Sequence, residues 1–243
     1  MMMMVAANCS LQADLPTTTE LTDDQHCTSW RYNVDVNNLR SWWVVPNQCE
    51  NIVENYMRGS SYRYDSAQAM QEAETYARTF MYSADYNSST RYTWIFAIDD
   101  TCLSNLPYYS SHRFGAEPLN STLYKTWIGQ GKAPALQATL QLFNTLKEWD
   151  YTILLLSGRL ESQREATIQN LIAVGYADWE ALILRKNTEI HVDATSFKSK
   201  KRKYLEDNGY TIIGNVGDQW SDLTGQAVGD RVFKLPNPMY YVA

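Results

Sequence analysis

The sequence predicts a Rossmann-like α/β fold: a parallel sheet with helices on both faces, an inserted cap after the first strand, and a helical segment in front of it. Three observations carry this. From Tyr92 onward, apolar β-prone runs alternate with amphipathic stretches four times over, and strand followed by helix, repeated, implies a parallel sheet. Between Thr101 and Ala133 the alternation lapses into an aromatic stretch bearing Gly and Pro, which reads as an insertion over the sheet's carboxyl edge, where ligands bind in such folds. Ahead of Tyr92, two runs place apolar side chains at three- and four-residue spacing.

Taken in order, residues 1–24 are rich in Thr, Asp, Ala and Ser without period and read as a loosely held arm. The opening MMMM lacks the basic flank and apolar core of a signal peptide, so the chain reads as mature or trimmed. Residues 25–90 form the helical segment, where VNNLRSWWVVPNQCENIVENYMRG and YDSAQAMQEAETYARTFMYSA are separated by Gly59 and Ser60. Within it Trp42, Trp43, Val44 and Val45 are too apolar to leave exposed and read as core. Residues 91–243 form the core, with the cap at about 102–133. YTWIFAI is a buried strand, and PALQATLQLFNTLKEW is a helix with Pro134 in its first turn and Leu136, Leu140, Phe143 and Leu146 on one face. YTILLL is the next strand, then a helix stopping at Gly175, the strand ALILR, the helix SFKSKKRKYLEDNG, and the strands TIIGNV and RVFKL. Tyr108, Tyr109 and Phe114 of the cap either close over the pocket or pack the cap on the sheet. The ending NPMYY reads as a docked tail.

A chain of 243 residues with 27 acidic and 21 basic side chains carries a net charge of -6, which argues against nucleic acid or an anionic membrane as partner. No apolar run approaches the roughly 18 residues that span a bilayer. The basic run KSKKRK at 198–203 reads as a solvated helix face, Lys198 excepted. Cys9, Cys27, Cys49 and Cys102 match no zinc spacing, and with only His26, His112 and His191 present the open question is disulfides. Sequons at Asn8, Asn87 and Asn120, together with the N-terminal cysteines, favour a secretory route. Asn87 and Asn120 should be exposed.

Three strands end in polar residues on the expected rim: Asp99, Asp100 and Thr101; Ser157, Gly158 and Arg159; and Gly217, Asp218 and Asp222. Lys198 opens a helix between the second and third of these. In this order FAIDDT, ILLLSGR, SFKSK and GNVGDQWSDL resemble the four motifs of the haloacid dehalogenase superfamily of phosphatases. CTSWRYNVDVNNLRSWWVVPNQC, LSNLPYY, APAL and FKLPNPMYY are similar to its plant class B acid phosphatase and vegetative storage protein branch, so the likeness runs from Cys27 to the carboxyl terminus.

The resemblance implies a disulfide between Cys27 and Cys49. It also implies a general acid/base at Asp99, a threonine at Thr101, a phosphate-binding hydroxyl at Ser157, a charge-balancing lysine at Lys198 and magnesium-binding acids at Asp218 and Asp222. The position of the nucleophilic aspartate falls on Ala97, and a methyl group forms no aspartyl phosphate. On a strand, positions 97, 99 and 101 share a face, so Asp100 should point away and not substitute. What remains is a weak magnesium site at best, with no cofactor required, and a pocket that suits a phosphate or sulfate anion without turnover. In this branch such proteins accumulate in plant vacuoles and pair as homodimers. The function expected first is therefore storage or defence; a feeble acid phosphatase and a noncatalytic anion-binding module are the alternatives.

Overall fold

The computed structural model describes residues 21–243. Helices α1 (Asp23–Asp35), α2 (Glu50–Arg58) and α3 (Ser60–Met81) precede β1 (Tyr92–Phe96). Then come α4 (Leu106–Ser110), α5 (Ser121–Gly129), α6 (Gln137–Glu148), β2 (Thr152–Leu160), α7 (Arg164–Ala173) and β3 (Ala181–Arg185). The chain closes with α8 (Ala194–Asp207), β4 (Thr211–Gly217), α9 (Trp220–Leu223) and β5 (Arg231–Lys234). The five strands are parallel in the order β3-β2-β1-β4-β5. Chain order reverses beside β1, which creates a crevice at its carboxyl end.

The strands are apolar because they are covered on both faces, and successive side chains feed two different cores. Trp94, Phe96, Ile153 and Leu155 face the larger core, beneath α3 and α6, while Ile95, Leu154 and Leu156 meet Phe197 and Leu205 of α8 in the smaller. Trp94 stacks on Phe233 at 5.5 Å between ring centres, and a Cβ on Gly214 would lie 2.3 Å from the Trp94 ring, so glycine is required there by close approach.

The N-terminal segment departs from its sequence reading in three places. Helix α1 begins at Asp23, inside the stretch read as an arm, because Thr22 and Gln25 form a reciprocal capping box. Residues 36–46, read as part of a helix, are instead a loop whose Val45 amide donates to the Gly115 carbonyl at 2.9 Å. Of the cluster expected in the core, Val45 is buried but Trp43 is 92% exposed. Cys27 and Cys49 form a disulfide that ties α1 to the start of α2. Asn8 and Cys9 lie outside the described residues, and Cys102 is a buried free thiol.

Further along, Pro134 stands ahead of α6 rather than in its first turn; the helix starts at Gln137, and the Pro134 carbonyl accepts the Ser104 amide. Gly115 has φ +88°, and a Cβ there would fall 1.9 Å from the Met239 carbonyl oxygen, so the cap and the carboxyl-terminal tail meet backbone to backbone. The tail is docked: Tyr240 stacks on Tyr109 at 5.0 Å and Met239 is buried. Asn87 and Asn120 are exposed.

Candidate functional site

Beyond Phe96 the chain keeps its strand path for one residue, the Ala97 amide donating to Val216 at 2.9 Å. It then coils tightly, since the Ile98 carbonyl accepts the amides of Thr101, Cys102 and Leu103, and Asp100 adopts φ +45°. This turn sorts the motif. Ala97 and Asp99 line a cleft of about 710 Å³ at the carboxyl edge of the sheet. Asp100 lies fully buried behind it, and Thr101 is also buried, facing Asp218 rather than the cleft. Alternation along a strand places Ala97, but past Ile98 the turn decides where side chains go.

Asp99 is held on every side. Arg159 donates from Nη2 to Oδ1 at 2.8 Å and from Nε to Oδ2 at 3.0 Å. Asn105 Nδ2 at 2.9 Å and the Tyr124 hydroxyl at 3.1 Å also donate to Oδ1. Burial would raise the Asp99 pKa, but the charge and hydrogen bonds of Arg159 outweigh it and hold the carboxylate below its ordinary range. Arg159 is itself buried and is anchored through Nη1 to Thr167. Ser157 stands beside the pair, its hydroxyl accepting the Arg159 amide at 3.1 Å.

On the β4 side, Asp218 accepts Thr101 Oγ1 on Oδ1, and accepts Asn237 Nδ2 and Gln219 Nε2 on Oδ2, both at 2.7 Å. Asp222 pairs with Lys198 at 2.5 Å through Oδ1 and accepts the Gln219 amide on Oδ2. A Cβ on Gly217 would lie 2.4 Å from the Asp222 side chain, which shows how tightly the turn brings that acid back over β4. Arg202, read in sequence as part of a solvated face, is fully buried; it donates to the carbonyls of Asp222, Thr224 and Gln226 and so fixes this loop.

The resemblance implies a divalent cation, and this donor set does not fit one as it stands. Magnesium requires carboxylate oxygens open to near-octahedral coordination. Here Asp218 Oδ2 already takes two N–H donors and Asp222 is closed by Lys198, and no group of three or more His, Cys, Asp or Glu among the described residues is arranged to hold a metal.

Asp100 meets different neighbours. It accepts the Asn105 amide at 2.9 Å and the Tyr240 hydroxyl at 2.8 Å. Burial, reinforced by the charge of Asp218, pushes its pKa up to about 8. Tyr240 therefore joins the tail to the motif loop while its ring helps wall the cleft. Of the cap aromatics, Tyr109 lines the cleft, whereas Tyr108 and Phe114 are packed inside the fold.

A family model described as the haloacid dehalogenase superfamily, subfamily IIIB (acid phosphatase), matches residues 13–243. The chain belongs to this family. Within it, the chain is 42% identical over 223 residues to acid phosphatase 1 of Solanum lycopersicum, covering 92% of this chain and 86% of that protein. It is 40% identical over 219 residues to vegetative storage protein 1 of Arabidopsis thaliana, covering 89% and 79%. The class C acid phosphatase of Bacillus anthracis with tungstate bound superposes with a TM-score of 0.64 at 20% identity, covering 79% of this chain and 85% of that one, which shows the shared fold.

The structure brings Ala97, Asp99, Ser157, Lys198, Asp218 and Asp222 of this subfamily IIIB chain to one cleft. Thr101 reaches it only through Asp218. Sequence reasoning missed Arg159, Asn105, Tyr124, Gln219 and Asn237 as partners of the acids. Arg159 carried a signal, standing two residues after Ser157 on the same strand face; the other four meet the acids through turns and tertiary packing.

Proposed function

We propose that this chain is a vegetative storage protein descended from an acid phosphatase, with a pocket that no longer turns over phosphate esters. The observation that carries the reading is Ala97. Phosphate monoesters are among the slowest esters to hydrolyse unaided, with enzymatic accelerations of up to about 10²¹, and removing a nucleophile from a cooperative catalytic set costs about 10⁶ in turnover. No neighbour takes its place. Asp99 is bound by Arg159 and held ionised, which makes it a poor general acid, and Asp100 is turned into the core. Storage asks nothing of such a pocket.

The disulfide and the exposed Asn87 and Asn120 support entry into the secretory pathway; the plant vacuole as destination and a homodimer as the working state are part of the proposal, taken from the branch the chain resembles. The test is abundance. Quantified in vegetative tissue of the source plant, the protein should rank among the major soluble species under ample nitrogen and decline severalfold when growing tissues draw on reserves. A scarce protein whose level ignores nitrogen supply would contradict storage. A second reading, noncatalytic anion binding, is favoured by one observation: four cationic side chains, Lys125, Arg159, Arg185 and Lys198, line the cleft against three carboxylates.

A further inference from the structure

The cleft has a polar floor and an apolar mouth. Leu119, Ile190, Val192 and Val242 are 54%, 50%, 40% and 37% exposed, and all four line it. They come from three separate parts of the chain: the cap, the segment between β3 and α8, and the carboxyl-terminal tail. Scattered exposed aliphatics need no explanation, but convergence of four around one opening marks a surface suited to an apolar ligand. None of the motif residues belongs to this collar.

We propose that the cleft selects amphiphiles, binding a monoanionic phosphate ester through its floor and an aliphatic ester group through this collar. This rests on the reading of the site as noncatalytic, since it describes a ligand held and not consumed. Charge favours the head group, because the lining has one more cation than carboxylate and an alkyl phosphate carries about one negative charge below its second pKa of about 6. Lys198 and Arg159 are paired internally, so a compact anion must compete with Asp222 and Asp99 for them. An aliphatic chain adds binding that no carboxylate contests. Each methylene buried against the collar strengthens binding by about fourfold. The concave mouth commits the proposal to a dissolved amphiphile rather than a membrane surface.

Titration calorimetry at pH 5 with inorganic phosphate, methyl, n-butyl and n-hexyl phosphate, each below its micellar concentration, tests this. Affinity should climb with chain length, by about 50-fold or more from methyl to hexyl. Leu119→Ser with Val192→Ser, both at exposed positions that leave the fold intact, should flatten that climb and leave methyl phosphate unchanged. Equal affinity for all four anions, no binding of any, or a climb unaffected by the double variant would each overturn the proposal. Phosphate release is followed in the same samples. Release with the chain-length climb intact sinks the noncatalytic reading and leaves the collar standing; a flat series without release sinks the collar alone.

Discussion

Two aspartates adjacent in sequence sit in opposite electrostatic settings. Asp99 meets the Arg159 guanidinium and stays ionised, while Asp100 meets another acid, Asp218, in a buried site and favours its proton. The folded-state pKa of Asp100 is raised, so its contribution to stability is fully present below the ordinary carboxylate value and is lost as pH rises towards about 8. Asp100→Asn mimics the protonated form. Thermal melts between pH 4 and 8 should show this variant gaining on the native protein as pH rises, after a constant loss of about 1 kcal/mol for the altered hydrogen bonds to Asn105 and Tyr240. A difference independent of pH would remove the buried, protonated acid from the account. That Asp99, Ser157, Lys198, Asp218 and Asp222 would gather at one edge of the sheet was legible in sequence, because strand-end carboxylates, a serine and a lysine appear in a telling order. Their partners were not: Asn105 reaches Asp99 by a turn centred on a left-handed Asp100, and nothing local announces it.

Among the elements, the strands and helices α2, α3, α6, α7 and α8 could be read directly, since apolar runs and helical spacing are local properties, whereas α1, α4, α5 and α9 were not read as helices. The errors cluster where tertiary contacts override spacing. Residues 36–46 carry helix-like periodicity, yet their backbone donates to the cap loop and the chain stays open. Arg202 lies in a basic run and is buried because three carbonyls at the end of α9 and beyond need a donor. Helix α1 matters to the site from a distance: the Asp35 carbonyl accepts Trp220 Nε1 at 3.2 Å, and its carboxylate accepts the Asn237 amide at 3.3 Å. The disulfide that anchors α1 closes a sequence separation of 22 residues, worth about 3 kcal/mol in the chain-entropy model. Replacing both cysteines by serine should lower the melting temperature by about 6–12 °C. Amide exchange at 218–222 should accelerate as well. Unchanged melting would show that α1 is held by its packing alone.

For the molecule as a whole, repeated strand and helix dictated a parallel sheet, but not the order β3-β2-β1-β4-β5, which depends on long-range pairing. Nor did the sequence reveal that cap, N-terminal loop and tail converge on Gly115 and Met239. The secretory assignment makes its own prediction: mass spectrometry of protein from plant tissue should find glycan on Asn87, Asn120 or both, since both are exposed. Finding both bare would count against that route. At this scale the proposed storage role rests on position 97, where a methyl group stands in place of the carboxylate that the family resemblance implies. The direct measurement is hydrolysis of an aryl phosphate at acidic pH with magnesium, by the native protein beside folded Ala97→Asp. The native chain should stay at background, and the substitution should yield phosphate release about 10²-fold or more above it, by restoring a nucleophilic carboxylate. Substantial magnesium-dependent turnover by the native chain would contradict the account.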